Sequence, residues 1–597
     1  MSLTQTGLSL ALAGALLFFS TSIYNPYTIS KLLALCLGTL AAWLGFVLDD
    51  SSRAPTFGDS PILRPLTAAA AVYGLCAVFS IDPYGSLIGQ YDNMLGFIPV
   101  FMCLCLALAA ALSPDARSPE SLMKTGLAAG AVLGAYGILQ WFGIEPFPAV
   151  MKDLPGGRIF SASGTPPFLG ACLLLLCPIA LHFALSPKKE EKIWAAVCAP
   201  PIAAALLLSL SRGAYLGAAS GCALYLFLNH GPRLKKPSAP VRAALGALLL
   251  MVLFGPLLLI GQLRAHRGAD SNRLHTWRIA ALSLPDHPIL GAGPDTGKDI
   301  SLKYRDDVSV RALGIRKSPG HAHNDILQIA VSAGVVGVVA YLWLLYALAS
   351  ACKTKLGDKK LRGPACAFAG ALFGLFINAK FNPIPISALT VAAVWAGLLA
   401  GRSSRGLHEK IEKYAAIGFS VLAGAALIYA TSLTAADHFR EIARRERAAG
   451  RPNEAIRYFS KAIRYAPLEI SYKRDYANFL ITSLRSLPKR EERTRVLNTI
   501  RSLSETVLKR HPEVASAYQM RGIVLWLTHR SEAADTLEEA TRVLDEAQKR
   551  NFYHAPLREL RIQVAKDRGD AKKLEALEKE KRHIQKVIPP TEPGAQQ

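Results

Sequence analysis

The sequence lacks paired Cys-x-x-Cys motifs, and none of its ten cysteines lies beyond Cys366. Zinc sites of the paired-cysteine kind are therefore excluded. The cysteines lie among apolar segments, where a free thiol behaves as a small packing residue. Long apolar runs are absent after Thr431, whereas the chain before it consists of one such run after another. This pattern excludes a single cleaved signal peptide, and we expect a protein that stays in the membrane.

Acidic residues are scarce relative to basic ones. The chain has 68 Lys and Arg against 44 Asp and Glu, which gives a formal net charge of +24. Many of these cations lie in short links between apolar runs, where they fix the orientation of membrane spans. We therefore expect no nucleic-acid partner, despite the basic composition.

About thirteen apolar blocks are long enough to cross a bilayer as helices. The sequence thus predicts an all-α, polytopic membrane domain over residues 1–432, with about 12–13 spans. The blocks cover residues 7–23, 30–48, 65–81, 94–112, 125–142, 167–185, 193–209, 213–229, 242–262, 324–350, 362–378, 384–400 and 413–432.

Lys and Arg are unevenly distributed over the links between these blocks. One alternate set of links contains about twenty cations, whereas the short links of the other set contain about five. Because cations collect on the cytoplasmic side, we place the N-terminus in the cytoplasm. The odd number of blocks then places the long loop at residues 263–322, and the chain from about Ser432 onward, on the outer side.

Residues 433–590 are rich in Ala, Glu, Arg, Lys and Leu at helical spacing, which predicts a soluble α-helical domain. A generic helical bundle is one interpretation; a tetratricopeptide-like repeat is the other, and such repeats bind partner chains or act as scaffolds. Residues 591–597 are predicted to be disordered. The repeat interpretation is based on Gly450, Ala455, Phe459, Ala462 and Pro467.

The loop at residues 263–322 is too long to be a passive connection. It is rich in Lys and Arg on the side of the membrane that disfavours them, which suits an anionic ligand such as a diphosphate. The residues around Arg273 and Trp277 have the pattern of an amphipathic helix. The run Gly291-Ala292-Gly293 that follows is expected to be a mobile turn.

The loop ends in His321-Ala322-His323-Asn324, and three interpretations are open. Asn324 can cap the helix that follows. One histidine can instead accept a proton at a pKa near neutrality, oriented by Asn324 or Asp325. A metal site is the weakest interpretation, because residues two apart do not align on a helical turn and further ligands are not evident. We predict neither a metal nor a cofactor.

Three more cations face the outer side. Arg212 lies in the almost absent link between two apolar blocks. An arginine at that depth either snorkels to the surface or belongs to a functional site. Arg158 and Lys380 lie in two other outer links.

These motifs, in their order along residues 60–400, resemble the O-antigen ligase and polymerase superfamily of membrane glycosyltransferases. The resemblance implies a class C fold in a bacterial inner membrane, with the outer parts in the periplasm. It implies metal-independent transfer from a glycan on undecaprenyl diphosphate to lipid A–core, to another carrier-linked repeat or to a protein side chain. The motifs are Ser211-Arg212-Gly213, Arg273-x-x-x-Trp277, Pro288-x-x-Gly291-x-Gly293, His321-Ala322-His323-Asn324 and Gly334-x-x-Gly337.

One turn departs from the superfamily. Many members have an Asn-Pro-Asn-like turn after the fifth span, where this chain has Gly164-Thr165-Pro166-Pro167. Roles that depend on those asparagines are therefore not expected here.

The resemblance suggests which arginines bind the donor. Fixed guanidinium groups would stabilise the negative charge on the departing diphosphate. The candidates are Arg212 and Arg273, with Arg278 as an alternative and Arg158 as support.

Acceptor activation is assigned to the end of the loop. His323 is the first choice for the base or for positioning the acceptor hydroxyl, and His321 is the second, with Asn324 orienting the imidazole. Such a single displacement inverts the configuration at the anomeric carbon.

A transporter of lipid-linked glycans is an alternative to the transferase, but the charges cluster at the outer edge rather than at mid-membrane. A non-catalytic scaffold is a third reading.

Overall fold

The computed structural model describes residues 2–48, 61–147, 157–231, 269–315, 317–401, 409–484, 490–532 and 535–587. Every regular element within these ranges is a helix, which confirms the predicted all-α class. The ninth predicted block at 242–262 and the predicted disordered tail at 591–597 lie outside the described residues.

The described helices fall into three groups. The first group is α1 (Leu3–Leu17), α2 (Thr28–Leu48), α3 (Leu63–Val78), α4 (Pro83–Ile88), α5 (Phe97–Leu112), α6 (Glu120–Trp141), α7 (Pro166–Leu174), α8 (Cys177–Ala184), α9 (Lys189–Leu208) and α10 (Arg212–His230). The outer loop and the later membrane helices are α11 (Ala269–Ser283), α12 (Gly297–Tyr304), α13 (Asp307–Leu313), α14 (Asp325–Lys355), α15 (Arg362–Asn378), α16 (Ile386–Ala400) and α17 (Glu409–Ala448). The C-terminal helices are α18 (Pro452–Tyr465), α19 (Ile470–Ser483), α20 (Arg490–Arg510), α21 (Ala515–Glu532), α22 (Leu537–Arg550), α23 (Ala555–Arg568) and α24 (Ala571–Val587).

The protein is a polytopic helical membrane protein. Six described segments have the length and apolar composition to cross a bilayer, namely α2, α6, the α7–α8 pair, α9, α14 and α17. Other helices lie at the remaining predicted blocks within the described ranges. The α7–α8 pair starts at two prolines, which are favourable in a first helical turn because their missing N–H would have no partner there.

Two hydrogen bonds each join segments that the charge alternation assigns to one side of the membrane. In the outer set, the side-chain amide of Asn25 donates to the Tyr91 carbonyl at 2.9 Å. In the inner set, Arg362 Nη2 donates to the Leu228 carbonyl at 2.9 Å. Which set faces the cytoplasm stays a prediction.

The predicted boundary between membrane and tail at residue 432 falls inside one helix, α17, which continues to Ala448. A left-handed glycine, Gly450 (φ 73°), then turns the chain into α18. The small and aromatic residues noted in the sequence pack inward there: Ala455 and Ala462 are fully buried and Phe459 is 4% exposed. The C-terminal domain is therefore continuous with the last membrane helix.

Helix α14 is broken at Gly334, which has a left-handed backbone (φ 61°). Residues 288–293 of the outer loop insert at this break, and Ala292 N–H donates to the Val331 carbonyl at 2.7 Å. A Cβ on Gly334 would lie 2.1 Å from the Ile289 carbonyl oxygen, so only glycine fits. The glycine run of this segment was predicted to be mobile, and that prediction was wrong, because the run is buried and supplies the hydrogen bonds that the broken helix lacks.

Candidate active site

The candidate site is built around the turn before α14. His323 has a left-handed backbone there (φ 54°), which few residues other than glycine adopt. Its backbone N–H donates to Nδ1 of His321 at 2.9 Å, and the two rings are nearly perpendicular with centroids 6.1 Å apart. Asn324 caps α14, since its Oδ1 accepts the Leu327 N–H at 3.1 Å. The side-chain oxygen of Asn324 is thus directed at the helix.

The two histidines differ in their hydrogen bonds. Nδ1 of His321 accepts a hydrogen bond, so the neutral ring has its proton on Nε2 and can only donate from that atom. The ring of His323 hydrogen-bonds the backbone of Phe381, while its buried Nδ1 has no partner among the described residues. This geometry suits His323, rather than His321, to the role of a base.

Both imidazoles are held in the neutral form. Burial lowers the pKa of His321 to about 3, and His323 acts in the same direction. Burial also lowers the pKa of His323, and the charge of Arg273 lowers it further. The hydrogen bond to the Phe381 backbone raises this pKa, but by less. Arg273 therefore lies within electrostatic range of His323. A neutral imidazole with an unshared electron pair is the form that a general base requires.

A cavity of about 260 Å³ adjoins this turn, between α3, α5, α14 and α16. Most of its wall is apolar and is formed by aliphatic side chains of these helices. A molecule with a hydrocarbon part and a polar head matches this division. The polar end is lined by Asp295, His321, Asp325, Gln328 and Asn382.

Arg212 begins α10 next to this polar end. The turn before it contains another left-handed residue, Leu210 (φ 49°). Arg158 holds this turn, since its Nε donates to the Ser209 carbonyl at 3.0 Å and its Nη2 to the Leu210 carbonyl at 3.1 Å. The glycine after Arg212 packs against the cavity-lining Asn382, whose Nδ2 would lie 2.3 Å from an added Cβ. Arg158 therefore supports the turn before Arg212, and its predicted part in diphosphate binding stays a prediction.

Arg278 has a different environment. Its Nε donates to Asp306 Oδ2 at 2.8 Å, and 52% of its side chain is exposed. Asp306 is also the N-cap of α13, so this ion pair ties α11 to α13. Of the predicted diphosphate-binding residues, Arg273 acts electrostatically on His323, and Arg212 precedes the glycine that packs against Asn382. Arg278 is instead bound to a carboxylate of the loop.

Three further charged residues lie at the site: Lys380, which was predicted only as an outer cation; Asp325, which was predicted as one of two residues that could orient a histidine; and Lys31, for which no site role was predicted. Lys380 forms an ion pair with Asp325, whose other oxygen accepts the Tyr341 hydroxyl at 2.7 Å. Lys31 is 2% exposed and lines a narrow polar space together with His321. The available signal for Lys31 was its position in the first turn of an apolar helix, where its charge was attributed to topology.

The fold and the site together define a polytopic helical membrane protein with histidine and arginine side chains in the links between its helices. Residues 196–342 match the family model described as O-antigen ligase. This stretch includes α10, the described part of the outer loop and the outer part of α14. It therefore contains both histidines of the turn, Arg212 and Arg273.

Curated proteins of Rickettsia species, each named as a polysaccharide ligase by inference, are similar to parts of the chain. The Rickettsia typhi protein is 32% identical over 82 residues, which is 14% of this chain and 20% of the relative. The Rickettsia felis protein is 28% identical over 148 residues, or 24% of this chain and 35% of the relative. The Rickettsia bellii protein is 24% identical over 278 residues, or 46% of this chain and 64% of the relative. The chain thus spans less than two thirds of the length of these relatives, and the matches support the superfamily resemblance.

Proposed function

We propose that the protein catalyses the metal-independent, inverting transfer of a glycan from undecaprenyl diphosphate to an acceptor hydroxyl at the periplasmic face of a bacterial inner membrane. The acceptor is lipid A–core, as in an O-antigen ligase. The observation that supports this most directly is the neutral His323, with an unpartnered Nδ1, within electrostatic range of Arg273. The family match over residues 196–342 supports transfer of the ligase type.

The donor lies with the first part of its hydrocarbon chain along the apolar wall of the 260 Å³ cavity and its diphosphate at the polar end. Arg212 and Arg273 bind the diphosphate, and Arg158 keeps the turn before Arg212 in shape. Fixed cations in a site of low polarity stabilise the charge that develops on the leaving group without reorganising.

The acceptor hydroxyl oxygen attacks the anomeric carbon from the face opposite the diphosphate. A bond forms between these two atoms while the bond from the anomeric carbon to the diphosphate oxygen breaks. The hydroxyl proton passes to the neutral imidazole of His323, the electron pair leaves with undecaprenyl diphosphate, and the imidazolium then loses its proton to water. One displacement inverts the configuration, so a product with retained configuration would exclude this mechanism.

The test is a glycolipid gel of cells that lack the protein, complemented with wild type, His323→Ala or the control His275→Ala. We expect long glycan on lipid A–core to disappear with His323→Ala, while polymer accumulates on the lipid carrier. The control lies on α11, two residues from Arg273, and should behave as wild type. A His323→Ala strain with normal glycolipid would reject the assignment of the base.

Two other acceptors define the second candidate functions. Lipid A–core with a single repeat would indicate a polymerase. Transfer to protein is favoured by the helical domain on the outer loop, where Arg305 Nη2 donates to Asn551 Oδ1 at 2.7 Å. Its early helices also resemble tetratricopeptide repeats, which bind protein chains. Glycan on protein, with unchanged lipid A–core, would identify a protein O-oligosaccharyltransferase; loss of donor translocation alone would identify a transporter.

A further inference from the structure

The C-terminal domain is anchored at its base by a buried cluster on α17. Asp437 is fully buried, accepts the Asn25 N–H at 2.6 Å and also accepts the Tyr91 hydroxyl. The Arg440 guanidinium lies over the rings of Tyr24 and Tyr91, 3.9 Å and 4.6 Å from their centroids. Buried charge-assisted hydrogen bonds of this kind fix geometry. The helix that leaves the membrane is thus held against two outer links.

A second buried contact lies farther along the domain. His511, between α20 and α21, is 2% exposed, and its Nδ1 lies 2.9 Å from Asp82 Oδ1. The same carboxylate oxygen caps α4 by accepting the Gly85 N–H at 3.0 Å. The Tyr84 ring meets the His511 imidazole edge-on at 5.5 Å. His511 is therefore enclosed by the link between α3 and α5.

From Asp82 a chain of polar groups continues toward the cavity. Asp82 and His511 both act electrostatically on Asp299 of α12, which places the three side chains together. Asp299 accepts the Gln90 side-chain amide at 3.1 Å. The backbone N–H of Gln90 in turn donates to Asp295 Oδ2 at 2.7 Å. Asp295 lines the polar end of the cavity beside His321.

Asp295 itself organises the segment between α4 and α5. Its carboxylate accepts the Leu95 N–H at 3.2 Å and the Asn93 side-chain amide at 3.1 Å, in addition to Gln90. Its backbone is left-handed (φ 56°), which requires support from its surroundings. Burial raises the pKa of Asp295 to about 6 and that of Asp299 to about 7, so both carboxyl groups depend on these donors.

We propose that the C-terminal helical domain is part of the site. His511 holds the outer wall of the cavity through Asp82. Asp295 is the positioning residue where this series of polar groups reaches the cavity. This inference rests on the proposed function for its consequence in catalysis. Loss of the His511 contact leaves Asp82 and Asp299 buried without that neighbour, so the segments 82–95 and 293–299 separate. The cavity then binds and orients its substrate less well.

The test uses the full chain in lipid nanodiscs and compares His511→Leu, His511→Asn and His583→Leu. Leucine fills the space without a polar group, whereas the asparagine amide restores a donor near the position of Nδ1. His583 is a matched control, since it contacts the loop residue Asp307 at 3.0 Å but is more than half exposed. Backbone amide exchange at Gln90 and Leu95 and kcat/KM for glycan transfer from undecaprenyl diphosphate are measured for each variant.

We expect His511→Leu to accelerate exchange at both amides at least tenfold and to lower kcat/KM at least tenfold, while His511→Asn and His583→Leu stay within about threefold of wild type. Unchanged exchange, or faster exchange with unchanged transfer, overturns the inference. If His511→Leu does not fold, Asp295→Asn takes its place and must reproduce both effects; wild-type behaviour overturns the inference. If wild type itself shows no transfer, the proposed function fails, and exchange alone decides whether His511 holds the wall.

Discussion

Two outer turns border the candidate site, and each contains a left-handed residue other than glycine: Leu210 before α10 and His323 before α14. They are supported differently. Arg158, from another link, donates to two carbonyl groups of the first turn. The second turn is supported from within, because His321 accepts the His323 N–H and Asn324 caps the following helix.

The difference between these turns is chemical. A left-handed backbone costs about 1–2 kcal/mol for an L-residue and persists only where its surroundings enforce it. In the first turn the support is a guanidinium whose partners are neutral carbonyls, so its positive charge adds to that of Arg212. In the second turn the support is an imidazole that must stay neutral to accept its hydrogen bond. The first turn should therefore depend on one remote residue, and the second on pH.

The largest effect is expected for Arg158→Ala, which should disrupt the conformation of the first turn and leave that of the second unchanged. Two buried carbonyls lose their donors, at about 1–3 kcal/mol each, and Arg212 loses its support. We expect transfer to fall about 100-fold or more, as when a fixed electrostatic group is removed. Initial rates with the lipid-linked donor measure this change.

Arg158→Lys is the matched variant for the same turn. Lysine keeps the charge, but its single ammonium cannot reproduce the fork that bridges the two carbonyls. An intermediate loss of transfer is expected. Equal activity of the lysine variant and wild type would show that charge alone matters and that the geometry of the turn does not.

The next largest effect is expected from a fall in pH, which lowers the stability of the folded protein through the second turn. The pKa of His321 is about 3 in the folded protein, below its ordinary value of about 6.5, so the unfolded chain binds a proton that the folded chain does not. The stability contributed by neutral His321 is complete above pH 6.5 and declines as pH falls toward 3, by about 1.4 kcal/mol per unit. Thermal unfolding in detergent between pH 7.5 and 5.5 measures it.

The control for this titration is His321→Gln, because other buried groups also titrate. Asp295 and Asp299 have raised pKa values and act with the opposite sign, since their stabilising protons are lost as pH rises. Subtracting the His321→Gln curve from the wild-type curve isolates the histidine. Parallel curves for the two proteins would mean that His321 is not held neutral by the fold.

The sequence predicted those parts of the fold and site that depend on local pattern. Within the described residues, helices lie where the apolar blocks are. Asn324 caps α14, which was one of the three interpretations of the segment at His321–Asn324. Long-range pairing was not predictable. Nothing in the Gly291 motif indicates that it inserts at Gly334, and the contact of His511 with Asp82 joins residues 429 positions apart. Hydropathy and spacing report neighbours along a helix, whereas these contacts depend on how separate elements pack.

A smaller effect is expected from substitutions of Asn324. These substitutions distinguish its capping of α14 from an orientation of His323. Asn324→Ala removes the cap of α14 and should cost about 1 kcal/mol of stability. Asn324→Asp keeps the cap, because a carboxylate also accepts the Leu327 N–H, but it cannot donate to an imidazole. Full activity and stability of the aspartate variant would support the capping role alone. A stable but inactive aspartate variant would support orientation of His323 by the amide.

The smallest effect is expected for Arg278→Ala, even though Arg278 and Arg273 are both arginines of α11. Its ion pair with Asp306 is half exposed, and such pairs contribute about 0–1 kcal/mol. Asp306 keeps its Ser309 N–H donor at 2.9 Å, so α13 stays capped. Transfer should change by less than about twofold, against about 100-fold for Arg273→Ala. A loss with Arg278→Ala as large as that with Arg273→Ala would mean that Arg278 leaves Asp306 to bind the diphosphate, and the two arginines would then share one task.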